Sequence, residues 1–182
     1  MGGDPAIFLD RDGTLIEDVG YPNDPEQVRL LDGAVDALVR LREAGFALVV
    51  ISNQSGIGRG LITPDEARRV HERFVGELER RGARIDDARY CPHTPDEGCG
   101  CRKPEPGMLL AAAEDLGLEL EASFMIGDKA SDVEAGRRAG CRTVLLALDG
   151  GPAASETSEY ADHVAHDWGE ALGFVLRSGA PA

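Results

Sequence analysis

The sequence predicts an α/β fold built on a mostly parallel sheet with helices on both faces. Two observations carry that expectation. Short apolar runs alternate with segments of helical periodicity along the chain, as in repeated β-α-β units. Three of the runs end directly in polar clusters, Asp10/Asp12, Ser52/Asn53 and Asp128/Asp132. Right-handed crossovers place helices on both faces of such a sheet and bring these strand ends to one edge, where open α/β sheets bind ligands.

Taken in order, Ala6-Ile7-Phe8-Leu9 reads as a buried strand broken by Asp10-Arg11-Asp12-Gly13-Thr14. Residues 15–31, punctuated by Gly20, Pro22, Asn23 and Pro25, form an irregular flap close to the two carboxylates. Ala34, Leu38 and Leu41, with Val35 and Ala37, mark a helix that ends before Gly45. Phe46–Ile51 is a second strand, running into the polar, glycine-rich loop Ser52–Gly60, whose hydroxyl and N–H groups suit phosphate. Thr63-Pro64-Asp65-Glu66 is a capping box with proline at the first helical position, launching a helix to about Gly82 with a solvated charged face. Asp87–Tyr90 is a weak third strand. Pro106 to Leu110 opens a helix closed by Gly117, Ser123–Ile126 is the fourth strand, and a helix runs to Gly140. Thr143–Ala147 is the fifth strand, Gly150–Ser158 a surface loop, and the last helix lies near Trp168 to Leu176. Residues 1–182 fit a single compact domain, since the length suits one ordinary domain and 42% hydrophobic content can bury a core.

Composition narrows the partners. Thirty-three acidic against nineteen basic residues give a formal charge of −14, which disfavours nucleic acid and anionic membrane surfaces. No apolar run reaches the ~18 residues of a membrane span, and Met-Gly-Gly-Asp-Pro lacks a secretory layout, so a cytoplasmic protein is expected; a monomer is expected as well. Cys91, His93, Cys99 and Cys101 lie in one loop (about 91–101) and offer three thiolates and an imidazole, a set that suits structural Zn²⁺; the alternative is a reduced cysteine-rich loop or a redox pair. Cys141 reads as a core thiol and His71 as a surface helix residue.

Carboxylates meeting at one sheet edge repel by several kcal/mol at an effective dielectric of ~20 unless a cation intervenes, and an oxygen donor set selects Mg²⁺. Asp10 and Asp128 are the expected carboxylate ligands, with Asp12 contributing through its backbone carbonyl. Asp10 is then a nucleophile toward phosphorus, and Asp12 the general acid and later the base. Ser52 and the amides after it would hold phosphate oxygens, Lys103 would neutralise developing charge, and Asp132 would orient Lys103 or a metal-bound water.

Asp10-Arg11-Asp12-Gly13-Thr14, Ser52-Asn53-Gln54, Arg102-Lys103-Pro104 and Gly127-Asp128-Lys129-Ala130-Ser131-Asp132 resemble, in order, the four motifs of the haloacid dehalogenase superfamily of phosphatases. The stretch Asn53–Gly60, Tyr90-Cys91-Pro92-His93 and Cys101–Met108 resemble its zinc-carrying branch, which contains D-glycero-D-manno-heptose-1,7-bisphosphate 7-phosphatases and histidinol-phosphate phosphatases. The resemblance implies a Rossmann-like fold, an aspartyl-phosphate intermediate and a small phosphorylated sugar as substrate, with release of its 7-phosphate in heptose precursor synthesis. Many members insert a cap domain in the flap or between the second and third motifs; here the flap, two helices and the zinc loop fill those intervals and leave no room for one. Asp18, Gly20 and Tyr21 resemble a flap element that approaches sugar hydroxyls in the heptose enzymes, although Val19 stands where those often carry His. Gln54 and Ser55 belong to the phosphate loop, and Arg59, Arg102 and Lys129 are spare cations for a second phosphate. Histidinol phosphate is the alternative substrate, and a non-catalytic zinc-stabilised binding protein the alternative class.

Overall fold

A computed structural model describes residues 3–148 and 159–179; the loop expected at Gly150–Ser158 lies outside them. Six strands, β1 (Ala6–Leu9), β2 (Ala47–Asn53), β3 (Asp87–Cys91), β4 (Phe124–Gly127), β5 (Arg142–Leu146) and β6 (His163–Ala165), pair in the order β3-β2-β1-β4-β5-β6. Every pairing is parallel. The helices are α1 (Ala34–Glu43), α2 (Ser55–Gly58), α3 (Pro64–Arg80), α4 (Gly107–Leu116), α5 (Ala130–Ala139) and α6 (Trp168–Gly179).

Alternate residues of the central strands enter two separate cores, which is why their sequences are apolar throughout. Ile7, Leu9, Leu48 and Val50 pack with Leu38 of α1, Phe74 of α3 and Trp168 of α6. Ala6, Phe8, Val49 and Ile51 face the other way, against Leu109 of α4 and Ala135 of α5. The α/β expectation therefore holds. From β1 the chain moves outward through β2 and β3, then returns to β4 on the other side of β1, so strand order reverses between β1 and β4. That reversal opens a crevice at the carboxyl ends of the strands.

The differences from expectation are local. β2 continues through Ser52 and Asn53 because β3 pairs with them, Ser52 to Tyr90 and Asn53 to Cys91. A four-residue helix, α2, stands inside the glycine-rich loop. The three-residue β6 was not expected, since it is too short to show a period and is defined by pairing with β5. Residues 15–31 do form an irregular flap, with one 3₁₀ turn at Pro25–Gln27 and an antiparallel bridge from Ile16 to Leu30. The intervals 14–33 and 54–86, where a cap would be inserted, hold this flap, α2 and α3. His71 corrects the reading of a surface residue: it is half-buried and its Nδ1 lies 2.6 Å from the Tyr90 hydroxyl.

The last helix is tied to the first loop. Trp168, 1% exposed, donates its indole N–H to the Thr14 carbonyl at 3.0 Å. Trp168→Phe leaves that carbonyl unpaired and a gap between α6 and the loop after β1. The expected loss is about 2–4 kcal/mol, read from the shift in urea midpoint at constant m.

Candidate active site

The first carboxylate is held by the sheet itself. The Asp10 amide still donates to the Ile126 carbonyl of β4 at 3.0 Å, so the side chain emerges where β1 and β4 diverge. The chain then turns at Gly13, whose φ is +87°; a Cβ there would lie 2.4 Å from Asp128 Oδ2, so both conformation and space require glycine. Thr14 Oγ1 donates to Asp128 Oδ1 at 3.3 Å.

Lys103 enters from the loop after β3 and is 3% exposed. Its ammonium lies 2.7 Å from Asp10 Oδ1, 2.6 Å from Asp132 Oδ1 and 2.7 Å from the Ile51 carbonyl. Burial opposes its charge, yet Asp10 and Asp132 together hold its pKa above the ordinary lysine value. Of the two roles expected for Asp132, the geometry displays the contact with Lys103; its other oxygen accepts from the Lys129 amide at 3.0 Å. Asn53, expected to touch substrate, lines the cleft at Asp10 and spends both amide atoms on the Lys103 peptide, accepting from its N–H and donating to its carbonyl at 3.0 Å each. A cleft of ≈40 Å³ is left among Asp10, Asp12, Ser52, Lys103, Lys129 and Ser131.

Oxygens of Asp10, Asp128 and Asp132 lie within 4.8 Å of one another. Burial and the neighbouring Asp10 charge push Asp128 up to about 7. The Asp12 carboxylate stands outside this group. It accepts from Arg11 Nε at 3.1 Å, Gln54 Nε2 at 2.7 Å and Ser52 Oγ at 3.4 Å. Gln54 is thus a partner of Asp12, and Ser55 is the first residue of α2.

The cysteine loop folds onto itself beside Lys103. Cys91 Sγ lies 3.6 Å from Cys99 Sγ and 3.2 Å from Cys101 Sγ, Cys99 lies 3.4 Å from Cys101, and His93 Nδ1 is 3.5 and 3.3 Å from Cys91 and Cys101. All four cysteines are free, including buried Cys141. Burial pushes the Cys91 thiol up to about 12, whereas hydrogen bonds from Cys101 and backbone amides outweigh desolvation at Cys99 and bring it down to about 7.

The flap crosses the mouth at two anchors. Asp18 Oδ2 is 2.9 Å from Lys129 Nζ, and Asp18 Oδ1 accepts from the Gly20 amide at 2.9 Å. Tyr21 lies against α2, where a Cβ on Gly56 would come within 2.7 Å of its ring. Arg59 and Arg102 do not line the cleft: Arg59 is exposed at the end of α2, and Arg102 donates to the His93 carbonyl at 3.3 Å. Arg11 is the site residue whose contacts sequence reasoning missed. It sits inside the first motif, but no pattern distinguishes a buried arginine from a solvated one there.

Comparison with known proteins agrees with this geometry. The HAD-hydrolase-like family model matches residues 100–171. The D-glycero-beta-D-manno-heptose-1,7-bisphosphate 7-phosphatase of Photorhabdus laumondii is 41% identical over 167 residues, covering 88% of this chain and 89% of the relative. That of Escherichia coli K12 is 39% identical over 185 residues, covering 98% and 97%. The crystal structure of D,D-heptose 1,7-bisphosphate phosphatase from B. bronchiseptica, complexed with magnesium and phosphate, superposes with a TM-score of 0.83 at 30% identity, covering 96% of this chain and 99% of that one. With the four sequence motifs gathered at the sheet's switch point and likeness running nearly end to end, the chain belongs to the HAD-like hydrolases, in the family of the heptose-1,7-bisphosphate 7-phosphatases.

Proposed function

We propose that this protein is a Mg²⁺-dependent phosphatase that removes the 7-phosphate of D-glycero-D-manno-heptose 1,7-bisphosphate in heptose precursor synthesis. The observation that carries the reading is the convergence of Asp10, Asp12, Lys103 and Asp128 in a chain that resembles such enzymes over nearly its whole length. In the first step an Asp10 oxygen bonds to phosphorus, the bond from phosphorus to the sugar oxygen breaks, and Asp12 gives its proton to that oxygen. Water then attacks the aspartyl-phosphate, Asp12 takes the water's proton, and inorganic phosphate leaves. Lys103 offsets charge on the transferred group, and the flap, with Asp18 and Tyr21 at its anchors, faces the sugar.

The donor set fits a hard divalent cation: the carboxylates of Asp10 and Asp128, with the Asp12 carbonyl, would hold it, and Asp132 is committed to Lys103. When bound, Mg²⁺ supplies positive charge to these carboxylates and to a phosphoryl oxygen. For the cysteine loop, Zn–S bonds of about 2.3 Å give a tetrahedron with sulfur–sulfur edges of about 3.8 Å. The observed 3.2–3.6 Å separations support structural Zn²⁺ on Cys91, His93, Cys99 and Cys101. Four unpaired thiols also suit a reducing, cytoplasmic setting, and no helix among the described residues is long and apolar enough to cross a membrane.

Phosphate release assayed in Mg²⁺ is expected to be robust with the heptose bisphosphate and absent after Asp10→Asn. Turnover of histidinol phosphate alone, or release undiminished in Asp10→Asn, would refute the reading. Metal analysis is expected to find one zinc per chain, lost in Cys99→Ser together with thermal stability; a metal-free chain with unchanged Tm would remove zinc from the account. Because Asp128 is raised from 3.8 to about 7 on folding, its protonated form stabilises the metal-free protein below the lower value, and this contribution is lost as pH rises through the upper one. With Mg²⁺ omitted and zinc retained, Asp128→Asn should therefore gain in Tm over the parent between pH 5 and pH 8, and added Mg²⁺ should raise the parent's Tm and not the variant's.

A further inference from the structure

Arg11 is 1% exposed and is the only buried arginine among the described residues, yet the chemistry above gives it no part. Its guanidinium reaches Asp12 with two prongs, Nε 3.1 Å from Oδ2 and Nη2 3.1 Å from Oδ1, a geometry that fixes the plane of a carboxylate as well as its place. Gln54 and Ser52 approach the same carboxylate, both at Oδ2. Behind the guanidinium lies the Tyr90 ring, 5.4 Å from Cζ to centroid, and the Tyr90 hydroxyl is in turn 2.6 Å from His71 Nδ1. A cavity of ≈270 Å³ opens among Arg11, Gln54, His71 and Tyr90, so close packing on all sides does not hold the guanidinium; the aromatic face and its histidine brace do.

We propose that Arg11 is the positioning residue for Asp12, and that Tyr90, braced by His71, holds Arg11. The proposal rests on the reading of Asp12 as acid and base. Proton transfer to the leaving oxygen needs the carboxyl within hydrogen-bond reach, and a displacement of about 1 Å costs roughly 10²-fold in rate. Arg11 itself does not line the cleft at Asp10 and acts through the orientation it imposes on Asp12.

The leaving group supplies the test. kcat/KM covers the steps through formation of the Asp10–phosphorus bond and departure of the alcohol, in which the Asp12 proton passes to the sugar oxygen. p-Nitrophenolate departs without a proton. Arg11→Met should lower kcat/KM for the heptose bisphosphate by roughly 10²-fold while p-nitrophenyl phosphate changes by less than about threefold. Arg11→Lys, keeping one donor and the charge, should recover part of the difference. Tyr90→Leu leaves Arg11 in place without its backing; it should shift the ratio of the two substrates in the same direction by about tenfold, and it decides the matter if Arg11→Met does not fold. An equal fall on both substrates overturns the proposal. Asp12→Asn, run alongside, separates the two levels. If it discriminates between the substrates and the Arg11 and Tyr90 variants do not, the positioning role alone fails; if it does not discriminate, the acid role of Asp12 fails and the proposal with it.

Discussion

The buried ammonium of Lys103 is the contact on which the rest of the site depends. It joins the end of β1 through Asp10, the end of β2 through the Ile51 carbonyl and the start of α5 through Asp132, all within 2.7 Å. A charge taken out of water is tolerated only with such complete pairing, and removing one partner of a buried pair typically costs about 3–5 kcal/mol. Asn53 fixes the same lysine's peptide from β2. Lys103 closely follows the loop carrying Cys99 and Cys101 in sequence, which couples the order of that loop to the charge balance around Asp10.

A flap, held by two contacts, lies across this site. Its Asp18–Lys129 anchor is an ion pair between side chains 36% and 51% exposed, a class that contributes about 0.2–1 kcal/mol. The Tyr21 contact with α2 depends on the missing side chain of Gly56. The flap is thus held more weakly than the buried ion pairs on the parallel sheet beneath it.

Much of this architecture was readable from local pattern. The apolar strands with Asp10, Ser52 and Asp128 at their ends were visible because both faces of a parallel strand are covered and its sequence is apolar without alternation. The Thr63–Glu66 capping box and its Pro64 announced α3 with the right start. The cysteine and histidine spacing announced a cluster that the fold does assemble. β6 escaped notice because three residues carry no period, and α2 because a single turn in a glycine-rich stretch reads as loop.

By itself the sequence determined the fold class, the edge of the sheet where chemistry is possible and the residue types gathered there, since these follow from periodicity and chain order. Only the tertiary structure decided which group each polar atom serves. Asn53 serves the Lys103 peptide, Gln54 and Arg11 the Asp12 carboxylate, and Arg59 remains in solvent. The physical reason is that burial and hydrogen-bond partnership are set by residues from elsewhere in the chain: Lys103 and Asp10 are 93 positions apart, and Asp128 and Thr14 are 114 apart. No local pattern records such a pairing.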